Sequence, residues 1–131
     1  MKNPLTEEWG KKAEEDWKVA NHERENREPV YNAICFHCQQ CIEKYQKAII
    51  QEQGQIPPVG HDLLMILNKI SHKTEFDIVK EKLGGISAYA VHFRYPRSID
   101  ASESEAQEAL DTAGKVREIA RKILRLKNHG R

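Results

Sequence analysis

Apolar residues recur at helical spacing along most of the chain. Over residues 7–25 they fall three or four positions apart, with charged residues on the other faces; the apolar set is Trp9, Ala13, Trp17 and Ala20. This pattern predicts an amphipathic first helix.

A second helix is predicted over residues 31–49. Pro29 separates it from the first, since proline favours an extended residue before it. The helical period then returns on a stripe of isoleucines, tyrosines and cysteines. Phe36 and Ile50 project away from this stripe, so we expect the helix to bury a second surface against a partner helix or a second subunit.

The middle of the chain is broken into shorter elements. Two glycines and two prolines within residues 51–61 predict a loop. Leucines and isoleucines over residues 63–70 predict a short third helix. A further set of apolar residues at helical spacing predicts a fourth helix over residues 76–94. We expect the fourth helix to bend or split at Gly84 and Gly85, because each glycine costs about 1 kcal/mol relative to alanine. Pro96 ends it.

The pattern of apolar residues over positions 102–128 predicts the last helix. Its acidic residues cluster near its start and its basic residues near its end, as the helix dipole favours. Ser102 and Glu105 have the spacing of a capping box. The sequence shows no strand pattern and no internal repeat, so the expected fold class is all-α. We expect a single domain over residues 1–131, built as an antiparallel bundle of four or five helices.

Composition narrows the classes of protein that remain. Lys and Arg number 21 against 20 Asp and Glu, so the net charge of +1 gives no global signature of nucleic-acid binding. Hydrophobic residues make up 39% of the 131 residues, enough for a core and too many for wholesale disorder. No stretch reaches the roughly 18 apolar residues of a membrane span. The charged N-terminal residues do not resemble a signal peptide, so we expect no membrane association.

Three cysteines, Cys35, Cys38 and Cys41, lie close together in the second predicted helix. Thiolates and the neighbouring His37 are potential zinc ligands. The cysteines share the apolar face, however, and no second CxxC pair exists, which favours core packing over a metal or redox site. We therefore expect no metal and no cofactor. The tight spacing without distant partners fits a reducing, cytoplasmic location.

The densest candidate anion-binding patch spans residues 92–97, His-Phe-Arg-Tyr-Pro-Arg. Arg94 or Arg97 would bind phosphate, and Tyr95 or Phe93 would stack on a base. The alternative is a helix end capped by cations, with the aromatic rings closing the core.

Polar residues follow one side of the second helix at one-turn spacing. His37 lies at the edge of the apolar face, and Gln40, Lys44 and Lys47 lie beyond it. They would meet either a charged ligand or only water. The chain has no Walker loop, GxGxxG, HExxH or GxSxG motif, so common nucleotide-binding, metalloprotease and hydrolase assignments lack support.

Three segments in order resemble a prokaryotic HEPN domain: Ile-Cys-Phe-His-Cys-Gln-Gln-Cys-Ile-Glu-Lys at residues 34–44, His61-Asp62-Leu63, and Arg94-Tyr95-Pro96. The resemblance covers nearly the full chain. It implies a small all-helical bundle, usually dimeric, with the second and fourth helices near a shared cleft. It also implies roles in nucleotide- or RNA-related systems, including partnership with a separately encoded minimal nucleotidyltransferase in toxin and antitoxin pairs.

Some members of that family are metal-independent ribonucleases, and these carry an arginine followed after four to six residues by a histidine. No such pair follows Arg94, and the chain instead resembles the Arg-Tyr-Pro branch. The expected function is a homodimeric nucleotide- or RNA-binding module that acts with a minimal nucleotidyltransferase. The alternatives are a metal-independent endoribonuclease and a structural interaction bundle.

The resemblance also assigns candidate residues to these roles. The residues expected to line a nucleotide or RNA cleft are Arg94, Tyr95, Arg97, His37, Gln40 and Lys44. If the chain is a ribonuclease, the candidate catalytic residues are Arg94 with His92 or His37.

Overall fold

Five α-helices make up most of the chain, which the computed structural model describes over residues 3–93 and 95–125. They are α1 (Pro4–Arg24), α2 (Tyr31–Glu52), α3 (Leu63–Leu67), α4 (Lys80–Ser87) and α5 (Glu103–Leu124). Two short 3-10 helices, Lys73–Phe76 and Ala88–Ala90, flank α4. Neither described range contains a strand, and the predicted all-α class is confirmed.

Helix α1 packs antiparallel on α2. Near the start of α1 the Thr6 hydroxyl donates to Glu52 at the end of α2, at 2.8 Å. At the opposite end of the pair, the backbone N–H of Val30 donates to Glu23 at 2.8 Å. Asn3 caps α1 by accepting from the backbone N–H of Leu5.

Helix α5 packs on another side of α2 and runs in the same direction. Where both helices begin, Asn32 Oδ1 accepts from the backbone N–H of Ala101 at 2.7 Å. Farther along, Arg121 of α5 donates to the Tyr45 hydroxyl of α2 at 2.9 Å. Helix α2 is therefore the central element, with α1 and α5 against it.

The cysteine face of α2 lies in the core. Cys35, Cys38 and Cys41 are all 0% exposed. Burial raises the pKa of the Cys35 thiol to about 12, and raises the pKa of Cys38 and Cys41 further above the usual range. The thiols are neutral and pack as small apolar groups, which confirms the core-packing interpretation. Within residues 3–93 and 95–125, no three metal-ligating side chains come together.

The second buried surface predicted for α2 is present. Ile50 is only 1% exposed within the single chain, which agrees with the partner-helix alternative at this position. Elements of the same chain cover this surface: Gln46, one turn before Ile50, donates to the carbonyl of Leu63 in α3 at 3.1 Å. Phe36 is half-buried, with its ring edge-on to that of His37.

The extent predicted for the fourth helix is wrong. Helix α4 begins at Lys80, continues through both glycines and ends at Ser87. The Ser87 hydroxyl donates to the carbonyl of Leu83 at 3.0 Å and accepts from the backbone N–H of Leu63 at 2.8 Å. A serine that bonds the carbonyl four residues back bends a helix, and the chain continues here as the 3-10 turn Ala88–Ala90.

The predicted start of the last helix is confirmed. Ser102 and Glu105 form the complete capping box, with bonds of 3.1 and 2.9 Å. Helix α5 ends at Leu124, where Arg125 adopts a left-handed conformation with φ of 56°. The predicted extension over residues 126–128 lies outside the described residues. Of the helices described, none has the length and apolar character to cross a bilayer.

Candidate functional site

One buried carboxylate on α1 holds two of the candidate residues of α2. We call Asp16, His37 and Lys44 the Asp16 cluster. Asp16 Oδ1 lies 2.7 Å from His37 Nδ1, and Oδ2 accepts from Lys44 Nζ at 2.8 Å. Asp16 is 7% exposed, whereas the side chains of His37 and Lys44 are 28% and 24% exposed. Both partners therefore reach the surface from a fixed, buried anchor.

A second carboxylate, on α2 itself, holds neighbouring polar residues over positions 39–47 of the helix. We call Glu43, Gln39, Gln40, Lys47 and His61 the Glu43 cluster. Glu43 is 4% exposed; its Oε2 accepts from Lys47 at 2.9 Å, and its Oε1 lies 2.8 Å from His61 Nδ1. Burial alone would raise the pKa of Glu43, but hydrogen bonds from Lys47 and His61 outweigh it, and the pKa is lowered. Glu43 therefore remains charged inside the fold.

Gln40 belongs to this second cluster. Its amide donates to Gln39 Oε1 at 2.7 Å and, at 3.4 Å, to Glu43 Oε1. Gln39 is 0% exposed and donates in turn to the backbone carbonyl of His61 at 3.1 Å. The candidates of α2 thus share one side of the helix as predicted, but partners within the chain already occupy much of their bonding capacity.

A third cluster joins all three long helices. Glu14 of α1 accepts three bonds from Arg117 of α5: Nε donates to Oε1 at 2.9 Å and to Oε2 at 3.1 Å, and Nη2 donates to Oε2 at 2.7 Å. The Tyr45 hydroxyl also donates to Glu14, and Arg121 lies 3.5 Å from the same carboxylate. Burial would raise the pKa of Glu14, but the hydrogen bonds from Arg117 and Tyr45 prevail and lower it. We call these four residues the Glu14 cluster; it is a structural junction.

The candidates His92, Tyr95 and Arg97 are exposed and follow α4 in the chain. Tyr95 is 63% exposed, and Arg97 is exposed with a positive φ of 76°. His92 is exposed, and its ring lies edge-on to Phe93 at 4.9 Å. Phe93 packs on the core beside Tyr89, as the core-closing alternative expects for this ring. Arg94 lies outside the described residues.

The structure places the candidates in two locations. His37 and Lys44 meet at Asp16, and Gln40 lies beside them on α2. Among described residues, no hydrogen bond or ion pair connects these three side chains to His92, Tyr95 or Arg97.

The buried carboxylates that hold the candidate side chains are the residues that sequence reasoning missed. A signal was present for Asp16, which falls on the apolar stripe of α1 between Ala13 and Ala20. A carboxylate at such a position needs a buried partner. Glu43 is four residues after Gln39 and seven before Ile50. This spacing places the three residues on one face of the helix, which is the second buried surface of α2.

The Asp16 cluster has an arrangement that can exchange a proton or bind an anion. A carboxylate on one imidazole nitrogen fixes the orientation of the ring and leaves the other nitrogen to exchange a proton or bind an anion. His37 has that arrangement through Nδ1. Lys44 is neutralised by the same carboxylate, so its contribution to anion binding is reduced.

Comparison with known proteins gives one result. The family model for the HEPN domain matches residues 6–123, which span the chain from α1 to α5. Neither the curated proteins nor the solved structures include a significant match.

Proposed function

Because the chain belongs to the HEPN domain family, we propose that it is a homodimeric nucleotide- or RNA-binding module that acts with a minimal nucleotidyltransferase in a toxin and antitoxin system. The family match over residues 6–123 is the observation that carries this proposal. The missing arginine–histidine pair favours binding over cleavage.

The segment after α4 is proposed as the main ligand contact. Tyr95 presents a largely exposed ring on which a base can stack, and Arg97 is an exposed guanidinium that can bind phosphate. Arg94 directly precedes Tyr95 in the sequence. We assign it the principal phosphate contact.

The polar side of α2 is proposed as the second wall of the cleft. His37 offers Nε2, since Nδ1 is held by Asp16. Gln40 is only partly buried and contributes a polar group beside it, while Lys44 adds positive charge that Asp16 largely neutralises. In this arrangement the segment after α4 supplies most of the affinity, and α2 supplies orientation.

The test is incubation of the purified protein with labelled single-stranded RNA in the presence of a chelator, following retention and cleavage together. We expect the wild-type protein to retain RNA without cleaving it and Arg94→Ala to lose retention at least tenfold, about 1.4 kcal/mol. The matched control is Arg27→Ala, which removes an exposed arginine from the turn after α1. Equal loss in both variants would show only non-specific charge attraction and contradict the assignment.

The same experiment separates the alternatives. Cleavage that persists in chelator and disappears in Arg94→Ala and in either His92→Ala or His37→Ala would replace the proposal with a metal-independent endoribonuclease. Retention and cleavage both absent, with the fold intact, would favour a structural interaction bundle. The proposed partnership would be supported by a minimal nucleotidyltransferase that is encoded beside this chain and copurifies with it.

A further inference from the structure

His61 is a surface histidine to which the proposed cleft gives no role. Its side chain is 56% exposed, while its Nδ1 lies 2.8 Å from Oε1 of the buried Glu43. No described residue makes a hydrogen bond or an ion pair with His61 Nε2. A buried carboxylate therefore fixes the ring by one nitrogen and leaves the other nitrogen available to a ligand.

The loop that ends at His61 is itself held to α2. Lys47 Nζ donates to the carbonyl of Gly60 at 3.3 Å. Earlier in the loop, the backbone N–H of Gln55 donates to the carbonyl of Ile50 at 3.2 Å. Because the ring and its backbone are both held, the orientation of His61 is set before a ligand binds, which lowers the entropic cost of binding.

His37 has the same arrangement in the Asp16 cluster. Its Nδ1 lies 2.7 Å from Asp16 Oδ1, and its Nε2 makes no hydrogen bond or ion pair with a described residue. The second oxygen of Asp16 accepts from Lys44, just as the second oxygen of Glu43 accepts from Lys47. Each buried carboxylate thus divides its two oxygens between one lysine and one histidine.

Gln40 lies between the two imidazoles. It follows His37 by three positions on α2, and residues at this spacing are neighbours on a helix surface. Its amide donates at 3.4 Å to Glu43 Oε1, the same oxygen that holds His61. His37, Gln40 and His61 therefore form a continuous row on one surface of the protein, although they belong to two different clusters.

The net charge of this row depends on the protonation of the two imidazoles. When an imidazole is neutral, its cluster holds one lysine against one carboxylate and has no net charge. Protonation adds one positive charge to the cluster and places a new donor on Nε2, because Nδ1 already faces the carboxylate. Histidine changes charge between about pH 5 and 8, so both clusters become positive in this range.

Few other charged groups face the two rings. Helices α1 and α2 contribute the two carboxylates and the two lysines already described. At the start of α3, the carboxylate of Asp62 accepts from two backbone N–H groups of that helix, at 3.1 and 3.2 Å. Asp62 is therefore engaged in capping α3 and does not hydrogen-bond the neighbouring imidazole of His61.

We propose that His37 and His61 form a proton-dependent phosphate site on either side of Gln40. Each protonated imidazole donates from Nε2 to a phosphate oxygen, and the site weakens as the rings lose their protons. Charge-assisted hydrogen bonds of this kind are stronger than those between neutral groups. The inference rests on the proposed function, because it adds His61 and a dependence on pH to the α2 wall of the same cleft and takes an RNA strand as the source of the phosphate.

The first test measures the Kd of a 5′-phosphorylated single-stranded RNA against pH, in chelator, for the wild-type protein, His37→Asn, His61→Asn and the double variant. Asparagine keeps an amide that can donate to the carboxylate and has no counterpart of Nε2. We expect the wild-type Kd to be about tenfold lower near pH 5.5 than near pH 8, and this ratio to fall to about threefold in each single variant and below about twofold in the double variant.

The matched control is His72→Asn. His72 is exposed and its side chain makes no capping hydrogen bond. All six histidines gain charge in acid, and this control measures that general contribution. Its dependence on pH should match that of the wild-type protein. Equal losses in His61→Asn and His72→Asn, or a wild-type Kd that does not change with pH, would overturn the proposal.

The second test uses no RNA and separates this site from the proposed function. Inorganic phosphate added to the ¹⁵N-labelled protein near pH 5.5 should shift the Nε2 resonances of His37 and His61 and leave that of His72 unchanged. These shifts in a protein that fails to retain RNA would uphold the site, assign it to a free phosphate ligand and contradict only the proposed function. Absent shifts at His37 and His61, or equal shifts at His72, would overturn the site even if RNA is retained.

Discussion

Replacing Glu14 by glutamine tests the role of the Glu14 cluster. The substitution keeps the size of the side chain and removes its charge. Arg117 and Arg121 then face each other without the carboxylate that lies between them, and the Tyr45 hydroxyl loses a charged acceptor. The cost arises from leaving two guanidinium groups poorly compensated in a mostly buried location.

The expected magnitude follows from the burial of the group. Breaking a buried ion pair by removing one partner costs about 3 to 5 kcal/mol. The side chain of Glu14 is 22% exposed and that of Arg117 is 13% exposed, and glutamine retains one acceptor oxygen, so we expect about 2.5 kcal/mol. At about 2.1 cal/mol/K of unfolding entropy per residue, this lowers Tm by about 9 °C.

The assay is thermal and urea unfolding of Glu14→Gln and wild-type protein, followed by circular dichroism at several pH values. The folded-state pKa of Glu14 is lowered, so its contribution is complete above the unfolded-state carboxyl pKa and is lost as the pH falls through the folded-state value. The difference between the proteins should therefore shrink in acid.

The matched control is Glu108→Gln, which breaks a pair with Lys82 in which both side chains are 50% exposed. This variant should unfold at nearly the wild-type midpoint at every pH. A small effect of Glu14→Gln at neutral pH, or an equal effect at pH 7 and in strong acid, would refute the assigned role of the Glu14 carboxylate.

Two further predictions concern α2. The three cysteine thiols should resist a thiol-specific reagent at pH 8 in the folded protein and react fully in denaturant, because burial raises their pKa; rapid labelling of the folded protein would contradict the packing described. Phe36→Glu should shift the proposed dimer toward monomer, raising the Kd at least about tenfold, because it places an unpaired charge in an apolar contact. An unchanged solution mass at low concentration would remove Phe36 from that interface.

Periodicity predicted the long helices because each has one continuous apolar face. The capping box at Ser102 was also readable, since both of its bonds are local. The end of α4 could not be predicted in this way. The Ser87 hydroxyl accepts from the backbone N–H of Leu63, 24 residues earlier, and a local sequence pattern does not indicate that contact. The glycine pair predicted as the break is accommodated within the helix.

The sequence predicted which residues belong to the polar side of α2, but it did not predict their bonding partners. The sequence places His37 and Lys44 on one side of a helix, but their common partner Asp16 lies on another helix. Arg117 and Glu14 are 103 residues apart. Charged residues on amphipathic helices are normally solvated, so only the packing of α1 and α5 on α2 shows that these charges meet inside the fold.

The anchoring of the loop after α2, residues 53–61, has a consequence for how the protein unfolds. The loop cannot open while α2 stays intact unless Glu43 and Lys47 give up their bonds to His61 and Gly60. Because these bonds involve buried side chains of α2, we expect residues 53–61 to open together with α2 in hydrogen exchange. The backbone amide of Gln55, although it lies in a segment without regular structure, should then exchange on the timescale of α2 and not on that of a frayed surface turn.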